Sequence, residues 1–176
     1  ITAWAMVTDD YDGTEQILHS RFYSSSGEIG TTGGGWPTQT DTWEQISVTF
    51  DSSSAVPTMI SWYVGYPEKN SNGYIYVTNL QIIDPDGKTL LEDGDFPGGA
   101  DMSTLNSGGS YGTYSTTTYC DVGASPEGYI IPSPSPTGSA APTLKWCTDA
   151  LRLGPSSSGG EYQLDIYPTD APTGMY

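Results

Sequence analysis

Few side chains in this chain are equipped for covalent chemistry. There is a single histidine, His19, in the strand-like stretch "QILHSRFYSS". No second histidine exists to pair with, and the two cysteines stand at 120 and 147. A nucleophile activated by a base that a third group orients therefore has no recognisable set of parts. The chain holds 21 Asp and Glu. A glycosidase needs two of them flanking the scissile bond at a fixed separation, but none lies in a motif that marks such a pair. The expectation is that this is not an enzyme.

The aromatic side chains offer more. Five Trp and 13 Tyr could stack on the apolar face of a sugar ring, with Asp, Asn, Gln or Arg hydrogen-bonding the hydroxyls beside it. Trp36 in the Gly-rich "TTGGGWPTQ", with Tyr66, Tyr111 and Tyr114, are the sugar-stacking candidates. Trp4, Trp43, Trp62 and Trp146 alternate with polar neighbours and are expected in the core. Oxygen-rich turns at "DPDG" and "DGDFPGGAD" make Asp84, Asp93 and Asp95 weak calcium candidates, against the plain reading of an acidic turn. Calcium requires six to eight oxygens, and no other cofactor is suggested.

Cys120 and Cys147 match no zinc or redox spacing. In a chain of secreted character a disulfide is expected, with two buried free thiols as the alternative. No Asn begins an N-glycosylation sequon. The stretch "IIPSPSPTGSAAPT" is Pro/Ser-rich and reads as extended polyproline. Its "PSPSPT" resembles the O-glycosylated or hydroxyproline-bearing stretches of algal and plant wall glycoproteins. That resemblance marks Pro132, Ser133, Pro134, Ser135, Pro136 and Thr137 as modification candidates; a bare polyproline loop is the alternative.

Charge excludes whole classes of partner. Five Lys and Arg against 21 acids give a net charge of −16. A surface of that sign repels phosphate backbones and anionic lipid. No apolar run reaches the ~18 residues needed to span a membrane. Neither nucleic acid nor membrane insertion is expected; an extracellular or cell-surface location is.

The elements that must hold these groups are strands. "WEQISVTFD" sets Trp43, Ile46, Val48 and Phe50 largely on one face. "TMISWYVGY" alternates Ile60, Trp62 and Val64 against Met59, Ser61 and Tyr63. "GYIYVTNLQIID" is apolar or β-branched at nearly every position, as in a strand covered on both faces. "DPDG" is a type I turn signal. "ALRLG" and "EYQLDIYP" add two strands, the second with Tyr162, Leu164 and Ile166 on one face. "EIGTTGGGWPTQTD" and "GGADMSTLNSGGSYGTYSTTTYCDV" read as long loops or irregular strands. No ten-residue stretch has a helical period. The fold class expected is all-β: an antiparallel sandwich or jelly roll of about 8–10 strands, essentially without helix.

"GKTLLEDGDFPGG" resembles the opening segment of jelly-roll carbohydrate-binding modules of the galactose-binding-like group. "GYIYVTNLQIID" resembles their closing strand, with Thr78 where those modules carry Asp. Related modules hold a structural calcium near the opening segment. The closing strand thus comes first here and the opening segment second. "DAPTGMY" followed by "ITAWAMV" resembles the central strand-turn-strand of the same modules. Residues 1–176 therefore read as one sandwich unit in the order 86–176 followed by 1–85. Three arrangements fit: one repeat of a tandem array, a circular permutant, or a subunit that exchanges strands with neighbours. The resemblance implies a structural repeat or subunit of an extracellular, glycosylated fibre, its partners being head-to-tail copies of itself and attached or bound carbohydrate. The alternative is a carbohydrate-binding module serving a polysaccharide-degrading or adhesive protein.

Overall fold

The computed structural model describes residues 1–13, 16–52, 56–64, 70–91, 94–96, 114–121, 146–156 and 162–167. Among them are nine strands: β1 (Thr2–Val7), β2 (His19–Ser24), β3 (Gly27–Thr32), β4 (Glu44–Ser47), β5 (Met59–Val64), β6 (Ile75–Gln81), β7 (Tyr114–Asp121), β8 (Trp146–Leu153) and β9 (Tyr162–Ile166). They form a five-stranded sheet, β4-β1-β6-β8-β7, and a four-stranded sheet, β3-β2-β5-β9. Every pairing is antiparallel. The expected all-β sandwich is the fold observed, with no helix among the described residues.

Alternation explains which residues meet between the sheets. Ala3, Ala5 and Val7 of β1, Ile75 and Val77 of β6, and Leu151 and Leu153 of β8 turn inward. They meet Phe22, Ile60, Trp62, Val64, Leu164 and Ile166 of the four-stranded sheet. Trp62 is fully buried, and its indole N–H donates to the Ile17 carbonyl at 2.9 Å. That bond keeps a large ring in the core without a stranded donor. On β6 the alternation slips by one. Asn79 takes a left-handed φ of 48°, a conformation Asn tolerates better than most residues. The β1 register shifts opposite it, so Leu80 and Ile82 also reach the core.

Three of the four tryptophans expected in this core lie elsewhere. Trp43 and Trp146 are buried and Trp4 half-buried, but they join Met6, Tyr74, Tyr76, Tyr119 and Ala150 in a second cluster. Trp4 and Met6 alternate with inward Ala3, Ala5 and Val7, which assigns this cluster to the opposite face of the five-stranded sheet. Trp43 also parts from Ile46, which is in the main core, while Val48 and Phe50 pack against that core's edge. An odd residue spacing separates Trp43 from Ile46, so a pleated strand sends them to opposite faces.

Cys120 and Cys147 are direct cross-strand partners on β7 and β8. They form the expected disulfide, with Cα atoms 4.1 Å apart.

After β6 the chain reverses at Asp84–Gly87. The Gly87 N–H donates to the Asp84 carbonyl at 3.0 Å, and the Asp84 carboxylate accepts the Asp86 and Lys88 N–H groups at 2.9 and 2.8 Å. The returning segment then runs back beside β6. Leu90 N–H donates to the Ile82 carbonyl at 2.7 Å, and Leu80 N–H to the Gly94 carbonyl at 2.8 Å. Phe96, fully buried, stacks on Trp62 with centroids 5.8 Å apart. A jelly roll lettered B to I along its chain pairs its eight strands as B-I-D-G and C-H-E-F. The order β8-β6-β1-β4 and β9-β5-β2-β3 is that pairing when B is β8, C is β9, and D to I are β1 to β6. Strand β7 extends the first sheet beyond B.

Candidate functional site

Jelly-roll pairing gathers the β1–β2, β3–β4, β5–β6 and β8–β9 connections at one end, and hydrogen bonds tie them together. The Asp12 carboxylate accepts from Ser71 N–H at 2.8 Å and from Asn72 N–H at 3.2 Å, linking β1–β2 to β5–β6. These bonds, the Asn72 amide first, hold its carboxyl below the usual carboxylate range, with desolvation opposing them. The Asn70 side chain donates to the carbonyls of Asn72 and Gly73 and accepts from Ser156 N–H at 3.0 Å, adding β8–β9. Gly73 has φ +75°, and a Cβ there would lie 2.5 Å from the Tyr11 backbone, so only glycine lets the two loops meet.

On the other side, Gly34 and Gly35 take φ of +112° and +72°. Their carbonyls accept from Leu18 and Ile17 N–H at 3.1 Å, and the Gln16 side chain accepts from Gly34 N–H at 3.1 Å. This glycine turn, which non-Gly residues would strain, delivers Trp36 to the surface. Trp36 is 37% exposed, one of few large apolar side chains so presented among the described residues. Its ring lies 5.8 Å from that of Tyr11, tilted 43°. Tyr11 packs against Trp36, whose indole stays partly open to solvent on a cross-linked loop frame. Chemically this arrangement can stack a ring and bond its substituents.

Of the four sugar-stacking candidates, Trp36 is where a ring could reach it. Tyr66 and Tyr111 lie outside the described residues. Tyr114 begins β7 opposite Leu153, and its side chain is outside the description. Tyr11, Asp12 and Asn72 were not singled out from the sequence. "DDYDG" and "NSNG" carried the signal, acidic and Asn-Gly turns flanking an aromatic, but only the fold brings residues 60 positions apart together.

Of the calcium candidates, Asp84 caps its own turn, Asp95 lends its carbonyl to the Thr78 hydroxyl at 3.4 Å, and Asp93 lies outside the described residues. Among the described residues no group of three His, Cys, Asp or Glu comes together as a metal site. Thr78 is buried and satisfied, donating to the Asp149 carbonyl at 2.6 Å. Residues 132–137 lie outside the described residues.

His19 is half-buried, 5.5 Å from the Tyr63 ring, and Arg21 stands 5.6 Å over that same ring. Burial first, then the Arg21 charge, lowers the imidazole's pKa; Glu28 opposes them.

No family model, curated protein or solved structure matches this chain.

Proposed function

We propose that this chain is a structural unit of an extracellular, glycosylated fibre, built as a carbohydrate-binding-module-like jelly roll read in circular order. The observation that carries this reading is the Asp84–Gly87 turn. It joins the strand resembling the closing strand of those modules to the segment resembling their opening, and the two lie hydrogen-bonded side by side. Where an ordinary module has its two termini, this one has a four-residue turn. Its sandwich order passes from β9 (C) to β1 (D). Copies that continued from β9 of one into β1 of the next would keep the jelly-roll path unbroken along a fibre. A contact that repeats head to tail without closing propagates into filaments. The disulfide and the acidic, Lys-poor composition fit an oxidising, extracellular setting. Glycans at Ser133, Ser135 or Thr137, or on hydroxylated Pro132, Pro134 or Pro136, would stiffen the fibre's proline-rich stretch. Peptide mass spectrometry of the native material tests that part: modified 130–143 peptides support it, and wholly unmodified ones reject it.

A second reading, a carbohydrate-binding module, is favoured by the Trp36–Tyr11 pair. Affinity electrophoresis against neutral polysaccharides tests it. Retardation that Trp36→Ala abolishes, with stability unchanged, supports the reading; no retardation on any polysaccharide rejects it.

A further inference from the structure

The charge around Trp36 specifies which sugars would stack there. The described residues of the four connections at this end are 8–13, 16–18, 33–43, 70–74 and 154–156. They hold four acids (Asp9, Asp10, Asp12 and Asp41) and neither Lys nor Arg, for a net charge of −4. Asp12 is held ionised by its amide donors. The Asp10 carboxylate accepts from the Thr8 hydroxyl at 2.7 Å, and Asp41 accepts from Asp9 N–H at 3.3 Å. All four of these described loop carboxylates are solvent-exposed. The described cations bordering this end are Arg21 on β2, its guanidinium 5.6 Å over the Tyr63 ring, and Arg152 on β8, 5.0 Å over the Tyr74 ring. A bound sugar would therefore sit on an aromatic surface inside a negative potential that focuses cations and repels anions.

We propose that the Trp36–Tyr11 platform takes an amine-bearing glycan, an oligomer of glucosamine type, and discriminates against uronate or sulfated sugars. This rests on the carbohydrate-binding reading above and adds the class of ligand to it. The stacking contact is common to all pyranose rings. The discrimination comes from ammonium groups facing exposed carboxylates, each such pair contributing modestly at a surface.

The test compares three oligosaccharides of equal length and linkage, carrying glucose, glucosamine or glucuronic acid, titrated calorimetrically into the native chain and into Trp36→Ala. At ~10 mM salt, where charges are felt over about 30 Å, the glucosamine oligomer should bind about three- to tenfold tighter than the glucose one, from one or two surface ion pairs. The glucuronate should bind weakest. Near 1 M salt, with screening over about 3 Å, the glucosamine preference should shrink below about twofold while stacking persists. Trp36→Ala should abolish all measurable binding. Glucuronate binding as tightly as glucose, or tighter, would overturn the charge assignment and leave the carbohydrate reading standing. Glucosamine binding unchanged in Trp36→Ala would show diffuse attraction to an acidic surface and overturn the site. If none of the three binds, the carbohydrate reading itself fails.

Discussion

Replacing Gly94 by alanine probes the joint on which the circular reading depends. A Cβ at Gly94 would collide with the Leu80 carbonyl oxygen and lie 2.9 Å from the carbonyl carbon, both backbone atoms of β6. Neither can rotate away, so the returning segment must lift off the strand. Lifting breaks the Leu80 N–H to Gly94 carbonyl bond. The buried Leu80 donor then loses its partner, at a cost of about 1–3 kcal/mol. Phe96, two residues on, loosens from its fully buried seat against Trp62. Complete removal of a core Phe costs about 3–5 kcal/mol; partial unseating at about half of that brings the total to about 2.5–5.5 kcal/mol. Gly87→Ala is the control. Gly87 has φ +83° but nothing within 4 Å of an added methyl, so only the left-handed strain of about 1–2 kcal/mol applies. Both variants are read by urea unfolding monitored through tryptophan fluorescence. If Gly94→Ala lies within 1 kcal/mol of the parent chain, or costs no more than Gly87→Ala, then the 90–96 segment does not seal against β6 and the ring closure is wrong.

Three other outcomes follow from the same geometry. Changing both Cys120 and Cys147 to Ser should lower stability by about 3–4 kcal/mol, the loop entropy of the 28 residues that a separation of 27 encloses; equal unfolding midpoints with and without reductant would refute it. Ser20 is fully buried and its hydroxyl has no hydrogen-bond partner among the described residues, so Ser20→Ala should stabilise by about 1 kcal/mol, and destabilisation in the same assay would count against that placement. His19 has a folded pKa below its ordinary 6.5, through burial first and Arg21 second. The unfolded chain therefore binds the extra proton between the two values, so stability should fall as pH drops through about 6.5 and level off below the folded pKa. His19→Gln should remove that step, and an unchanged pH profile would contradict the assignment.

The inward faces were legible because period-two alternation survives wherever one strand face is buried. Ile60, Trp62 and Val64 follow it, as do Leu164 and Ile166. The Asp84–Gly87 turn was legible from Pro at its second position and Gly at its fourth. Strands β3 and β7 were harder. "GEIGTT" is diluted by glycine, and "YSTTTYCD" is half Ser and Thr, so neither shows apolar alternation; both are edge strands, whose pairing neighbours supply what the side chains do not. The second cluster misled the pattern for a different reason. Trp4, Trp43 and Trp146 are as apolar as core residues, and alternation says that they share a face without saying which face covers the core. The loop end was least legible. Trp36 advertised itself after three glycines, but Asp12 and Asn72 gain their roles only when the jelly roll brings two distant turns together.

Electron microscopy of the protein purified from its native source tests the central claim most directly. Filaments are expected with a regular axial repeat in which one sandwich follows another and the density of β9 in one copy leads into β1 of the next. Discrete particles with no repeat, each sandwich separate from its neighbours, would contradict it.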